Sequence, residues 1–108
     1  MPANISSVQE YFDTLDARFV PDASKGVDFI YQFEFDCGTW HVHVNDGAME
    51  ITSGSHQDPA STIQAKEADW VKIINGDMNG LRAVMTRKMK VNGNISAARK
   101  MQKIFPTN

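Results

Sequence analysis

The sequence has little cysteine and no long apolar run. Cys37 is the single cysteine among 108 residues, so no disulfide can form within the chain. No stretch of about 18 apolar residues occurs, which argues against a transmembrane helix. The first residues, MPANISSVQEYF, lack a basic region followed by an apolar one, so we expect no signal peptide. The last four, FPTN, are not a Ser-Lys-Leu peroxisomal signal. Together these absences favour a cytoplasmic protein.

The motifs that mark enzyme active sites and metal centres are also missing. The sequence contains no Gly-rich phosphate loop, G-x-S-x-G, H-E-x-x-H or C-x-x-C. His41 and His43 stand two apart on a predicted strand, but no third metal ligand lies nearby, so solvent-facing strand residues are the favoured interpretation. Cys37, beside Gly38 in a turn, has no neighbouring histidine that would activate a thiol. We therefore predict a protein that is not an enzyme and needs no metal or cofactor.

Charge is small in total and uneven along the chain. The formal net charge is −2. All thirteen acidic residues lie in residues 1–77, whereas residues 78–108 carry seven basic residues and no acidic one. Two interpretations stay open: the basic segment contacts an anionic lipid or membrane, or it folds against the acidic part of the chain. The segment lacks the interleaved aromatics of a single-strand nucleic-acid binder, so no nucleic-acid partner is expected.

Hydrophobic periodicity predicts a mixed order of helices and strands. Apolar residues three or four apart predict a helix over residues 5–19, and nearly perfect alternation over 27–35 predicts a half-buried strand. Asp46-Gly47 predicts a hairpin turn between two further strands. A short strand, two helices, a fifth strand and a last helix follow, in residues 61–65, 66–76, 80–87, 88–91 and 95–105. This order predicts one α+β domain over residues 1–108, with helices on one face of a single sheet.

Methionine is concentrated late in the chain. Four of the six methionines are Met78, Met85, Met89 and Met101. Methionine is flexible and fills irregular spaces, so these residues could form an adjustable wall between the later helices and the Phe-rich strand. The alternative, which periodicity alone favours, is that they are ordinary core residues.

An ordered set of short matches to one domain family runs along the chain. They are Thr62-Ile63, Asp69-Trp70, Gly76 with Met78, the run from Lys88 to Val91, Gly93-Asn94, and Ala98 with Met101 and Ile104. Earlier, Gly38, Trp40, Val42 and Val44 at alternate positions, followed by Asp46-Gly47, agree more loosely. In this order the sequence resembles the sterol carrier protein-2 (SCP-2) domain. Arg87 is a departure, because the family usually has glycine there.

The resemblance implies a five-stranded, mostly antiparallel sheet that is covered by helices on one face and encloses an apolar tunnel. It implies non-enzymatic binding or transfer of a fatty acid, fatty acyl-CoA, sterol or isoprenoid-like lipid. The alternative that it implies is an accessory subunit that presents lipid to an enzyme complex, such as one of ubiquinone synthesis. Expected partners are therefore a lipid ligand and a lipid-metabolism enzyme. The uneven charge adds, transiently, an anionic membrane surface.

The same resemblance and periodicity give a list of expected site residues. Gln102 matches the family pattern Lys-Leu-Gln and is the expected polar anchor. The expected ligand-binding residues are Phe29, Tyr31, Phe33, Trp40, Trp70, Ile74, Met78, Leu81, Met85, Met89, Met101, Gln102 and Phe105. The residues expected to contact a headgroup or membrane are Arg82, Arg87, Lys88 and Lys90.

Overall fold

The computed structural model describes residues 4–106. It contains five α-helices and five β-strands within those residues. The helices are α1 (Val8–Asp13), α2 (Leu15–Arg18), α3 (Glu67–Ile74), α4 (Gly80–Met85) and α5 (Ile95–Ile104). The strands are β1 (Asp28–Phe35), β2 (Gly38–Asn45), β3 (Ala48–Ser53), β4 (Ser61–Ala65) and β5 (Met89–Gly93). A 3₁₀ turn, Pro21–Ser24, joins α2 to β1. No helix of residues 4–106 is both long and apolar enough to cross a membrane.

The five strands form one sheet in the order β3-β2-β1-β4-β5. β1 pairs in parallel with β4, and the other three pairings are antiparallel. The expected five-stranded, mostly antiparallel sheet is confirmed. Its hairpin turn is also where the sequence places it, because Asp46 and Gly47 have φ angles of 46° and 86°, the geometry of a type I′ turn.

Helices cover one face of the sheet, and the core lies between the two layers. Alternation along β1 puts Tyr31 and Phe33 on the covered face, where both are fully buried. Phe12 of α1 stacks on Trp40 of β2, with ring centroids 4.9 Å apart. The opposite face is polar: Glu34 there accepts hydrogen bonds from the side-chain amides of Gln32 and Gln64, which lie on β1 and β4. The predicted arrangement of helices on a single face is confirmed.

The helix predicted over residues 5–19 is wrong in detail, because two short helices replace it. Ser7 caps α1 by accepting a hydrogen bond from the Glu10 amide at 3.1 Å. Thr14 ends α1: its hydroxyl donates to the Glu10 carbonyl at 2.7 Å, and its φ and ψ of −113° and 9° leave the helical region. A β-branched hydroxyl residue that bonds back to the previous turn weakens a helix at that point.

α3 and α4 end in the same type of cap, although the residue with a positive φ angle is a glycine after α3 and an arginine after α4. After α3, the amides of Gly76 and Asp77 donate back to the carbonyls of Ile73 and Lys72, with Gly76 at a φ of 84°. After α4, Arg87 and Lys88 donate in the same pattern to Val84 and Ala83, with Arg87 at a φ of 61°. Both are Schellman caps, which need a left-handed residue. The turn before β5 therefore keeps the geometry of a glycine turn, despite the arginine.

Candidate functional site

A pocket of about 540 Å³ lies among α1, α3, α4, α5 and β5. Its size falls within the range of about 300–1,000 Å³ that small-molecule sites usually have. The residues that line it are Tyr11, Trp70, Ile73, Ile74, Gly76, Met78, Asn79, Gly80, Leu81, Met89, Met101, Gln102, Phe105 and Pro106.

The pocket runs from the surface into the core. Tyr11 and Trp70 lie at its inner part, only 1% and 3% exposed, and their rings meet edge to face with centroids 5.4 Å apart. Leu81 of α4 and Gln102 of α5 lie at its mouth, because both line the pocket and both are exposed. An apolar chain could therefore enter between α4 and α5 and extend toward the two buried rings. The structure shows a pocket here, and the expected tunnel stays a prediction.

The interior of the pocket is uncharged. Among residues 4–106, those that line it include no Asp, Glu, Lys, Arg or His. Burial raises the pKa of the Tyr11 hydroxyl well above its usual range, and the nearby Arg18 charge only partly opposes this shift. The Trp70 indole Nε1 is buried and has no hydrogen-bond partner within the described part of the chain. A lining that mixes apolar side chains with uncharged polar groups suits a guest that has an apolar chain and no buried charge.

Eight of the thirteen expected ligand-binding residues line this pocket. They come from the later helices, from the loop between α3 and α4, and from β5. The eight are Trp70, Ile74, Met78, Leu81, Met89, Met101, Gln102 and Phe105. The structure thus brings together the late part of the expected set, including three of its four methionines. That these residues bind a ligand stays a prediction.

The other five expected residues do not line the pocket. Tyr31 and Phe33 are fully buried in the core, and Trp40 packs against Phe12 instead. Phe29 packs against the core from the end of β1, with its ring 6.1 Å from that of Tyr31. Met85 points outward from α4 and is 75% exposed. The first four were expected to face the ligand because they share a sheet face, but other core side chains cover that part of the sheet.

Sequence reasoning missed six residues that line the pocket. They are Tyr11, Ile73, Gly76, Asn79, Gly80 and Pro106. A signal for Tyr11 was present, because Val8, Tyr11, Phe12 and Leu15 follow the i, i+3, i+4, i+7 spacing of a buried helix face. Asn79 has a local role that the sequence did not reveal: its side chain caps α4 by accepting from the Arg82 amide at 3.1 Å.

The four expected headgroup contacts are exposed and lie outside the pocket. Arg87, Lys88 and Lys90 line a second concavity together with Lys66 and Asp69. Arg82 lies on the surface of α4. Within residues 4–106, no salt bridge joins any basic residue of the segment from 78 onward to a carboxylate. Asp69, from the acidic part of the chain, nevertheless lies in the same concavity as three of these basic residues, and both interpretations of the uneven charge stay predictions.

The two histidines and the cysteine have ordinary structural surroundings. His41 Nδ1 lies 2.9 Å from the Gly54 carbonyl, and His43 Nε2 lies 2.6 Å from the Asp28 carboxylate. The Cys37 thiol has a raised pKa, mainly through burial and further through the nearby Glu67 carboxylate. A raised pKa disfavours the thiolate that a nucleophile needs.

Comparisons with known proteins agree with this fold. One relative is the hydroxysteroid dehydrogenase-like protein 2 of Bos taurus, 29% identical over 95% of this chain. The chain spans only about a quarter of that protein, 26% of its length. The solution structure of the sterol carrier protein domain 2 of Helicoverpa armigera superposes with a TM-score of 0.71 at 22% identity, covering 87% of this chain and 84% of that one.

A second solved structure and a family model complete the comparison. The structure of the UbiJ-SCP2 ubiquinone synthesis protein superposes with a TM-score of 0.60 at 12% identity, over 85% of this chain and 73% of that one. At such low identities the two structures show a shared fold. The model of the SCP-2 sterol transfer family matches residues 12–106, which is most of the sequence. The chain belongs to the SCP-2 sterol transfer family.

Proposed function

We propose that this protein binds a lipid with a long apolar chain in the pocket between α4 and α5, without catalysing a reaction. The observation that carries the proposal is an uncharged pocket of about 540 Å³ in a chain of this family. The apolar tail would extend toward Tyr11 and Trp70. The polar end would stay near Gln102, whose side-chain amide can both donate and accept hydrogen bonds at the mouth.

The expected affinity suits a carrier. Burying about 14 methylenes at about 0.8 kcal/mol each contributes roughly 11 kcal/mol. Association and ordering cost at least about 4 kcal/mol, so binding in the micromolar range follows. A bilayer buries the same tail to a similar extent, so transfer between the protein and a membrane would be nearly balanced. Near balance allows the protein to load and unload lipid, as a fatty acid, fatty acyl-CoA, sterol or isoprenoid-like carrier must.

A titration of delipidated protein with a fluorescent fatty acid tests the proposal. The wild type should show saturable binding at micromolar concentrations. Met101→Trp should narrow the pocket and weaken binding at least about tenfold, because the bulky ring would fill space that the tail needs. Met49→Trp is the matched control, since Met49 packs against the core from β3 and does not line the pocket. A flat titration of correctly folded wild type would contradict lipid binding.

A second candidate function is the presentation of lipid to an enzyme. Two observations favour it: the shared fold with a protein described as a ubiquinone synthesis protein, and the match to about a quarter of a dehydrogenase-like relative. In that case the protein would co-purify with a defined enzyme partner and would transfer lipid to vesicles only slowly. Rapid vesicle-to-vesicle transfer by the isolated chain would favour the free carrier. A cytoplasmic location and a single domain over residues 1–108 stay predictions.

A further inference from the structure

The outer side of α4 exposes large apolar side chains to solvent. Leu81 and Met85 are 70% and 75% exposed, and Val84 is 38% exposed. Leu81, Val84 and Met85 are three and four positions apart, so they share one side of the helix. Ala83, on the other side, is fully buried. α4 therefore turns its small residue to the core and its large apolar residues outward, the reverse of a usual surface helix.

The charged residues on α4 and in the turn that follows it have one sign. Arg82 on α4, and Arg87 and Lys88 just after it, are all exposed. No acidic residue occurs in residues 78–108, and within the described residues none of these three basic side chains forms a salt bridge. Arg87 and Lys88 also line the concavity that contains Lys90 and Asp69. Lys90 is farther along, since it lies in β5 and pairs with Gln64 in the sheet register. We call Leu81, Val84 and Met85 with Arg82 and Lys88 the α4 face.

We propose that the α4 face docks on an anionic lipid bilayer. Exposed apolar side chains bordered by basic ones are the pattern of an element that lies in the membrane interface: the apolar groups enter the acyl boundary and the cations meet acidic headgroups. The face also adjoins the pocket, because Leu81 belongs to both. Docking would therefore place the mouth against the membrane, so that a lipid tail could pass between bilayer and pocket with little exposure to water.

The role in lipid exchange depends on the proposed function, whereas membrane binding itself does not. The two can therefore fail separately. A protein that floats with vesicles but binds no fluorescent fatty acid would keep the docking face and lose the carrier function. A protein that binds the fatty acid but does not associate with vesicles would keep the lipid-binding function and lose the docking face.

Vesicle flotation tests the docking face. The full chain is mixed with phosphatidylcholine vesicles, with and without about 30 mol% phosphatidylserine. We expect binding only to the anionic vesicles, and its loss in about 1 M salt, where the Debye length falls to about 3 Å. Binding to neither vesicle, or equal binding to both at low and high salt, would overturn the proposal.

Paired single substitutions locate the surface. Met85→Ser should weaken vesicle binding about tenfold, since an exposed apolar side chain is lost from the interface. Its control, Val20→Ser, changes another exposed apolar residue, 37% exposed, away from α4. Lys88→Gln should weaken binding about fivefold and its charge-matched control Lys25→Gln should have little effect. Equal effects of test and control variants would overturn the assignment to α4.

Two further measurements distinguish a membrane-docking face from a part of the pocket and from a dimer interface. Met85 does not line the pocket, so Met85→Ser should retain the fatty-acid affinity of the wild type. In the absence of lipid, the wild type and Met85→Ser should sediment with the same oligomeric state. A dimer that Met85→Ser dissociates, together with no vesicle binding, would assign the face to a second copy of the chain and overturn the membrane proposal.

Discussion

The hydroxyl of Tyr31 donates a hydrogen bond to the carbonyl of Ala97 at a distance of 2.6 Å, and the bond is buried. Tyr31 lies on the central strand β1, and Ala97 lies in the first turn of α5. The bond therefore joins the middle of the sheet to the helix that supplies Met101 and Gln102 to the pocket. It is a direct polar link between the core and one wall of the pocket.

Replacing Tyr31 with phenylalanine should destabilise the protein by about 1 kcal/mol, the usual net value of a buried hydrogen bond. The ring would stay in place, so the fold should not change. Urea unfolding monitored by circular dichroism measures the loss. Amide exchange in the first turn of α5 should also become faster. Unchanged stability together with unchanged exchange would show that the bond contributes nothing to holding α5.

Alkaline pH should destabilise the protein through its two buried tyrosines. Burial raises the pKa of Tyr31 from its usual value near 10 to about 12, and it raises the pKa of Tyr11 further. The unfolded chain loses these protons near pH 10 while the folded chain keeps them. The folded state then binds more protons, so the free energy of unfolding falls as pH increases. The contribution is complete below pH 10, and that of Tyr31 is lost as pH rises from about 10 through 12.

Stability measured by urea unfolding between about pH 8 and 12 checks this dependence. Tyr31→Phe removes one of the two groups, so its stability should fall less steeply with pH than that of the wild type. Equal slopes for the two proteins would contradict the assignment to Tyr31.

The arrangement of elements could be predicted because each one rests on a local pattern. The alternation of apolar and polar residues over β1 predicts a strand with one covered face. Asp46-Gly47 supplies the positive φ angles of the hairpin turn. The break at Thr14 could not be read in the same way, because a threonine inside an apolar helical stripe is compatible with either outcome. Whether the helix breaks depends on whether the Thr14 hydroxyl donates a hydrogen bond to the Glu10 carbonyl, and the structure contains that bond.

Only some of the residues that line the pocket could be predicted from the sequence, and the reason differs from that for the helix break. Its late residues lie on amphipathic elements with recognisable motifs, so Trp70 and Met101 could be named from the sequence. Phe33 of β1 carries the same apolar signal, but α1 covers it: Phe12 lies 5.5 Å from Phe33, centroid to centroid. Periodicity tells which face of a strand is covered, but not whether protein or ligand covers it.

The methionines that line the pocket should widen the range of ligands that it accepts. Met78, Met89 and Met101 are partly buried against the core and line the pocket, and unbranched side chains can rearrange around guests of different length. Changing all three to leucine keeps the wall apolar but makes it stiffer. We expect the triple variant to retain its best ligand and to bind shorter and longer ones more weakly.

Competition by fatty acids of about 10 to 18 carbons against a fluorescent probe measures this range. Met49→Leu serves as the control, because Met49 packs against the core outside the pocket. If the triple variant and the wild type have the same dependence on chain length, the methionines are ordinary core residues, which is the alternative that the sequence left open.

Arg87 is the clearest place where a substitution should stabilise the protein. It occupies the left-handed position of the cap after α4 with a φ of 61°, while Gly76 occupies the same position after α3 with a φ of 84°. A side chain in this conformation is strained by about 1–2 kcal/mol, whereas glycine adopts it freely but loses more chain entropy on folding. Arg87→Gly should therefore stabilise by about 0.5–1 kcal/mol.

The comparison of glycine with alanine at this position isolates the backbone effect. Arg87→Ala removes the same side chain but keeps a Cβ atom, so its stability should stay close to that of the wild type. Gly76→Ala makes the opposite change at the matching cap after α3 and should destabilise by about 1 kcal/mol. Chemical unfolding of the four proteins gives these differences. If Arg87→Gly and Arg87→Ala have equal stability, the gain comes from loss of the arginine side chain, and the left-handed turn is not strained.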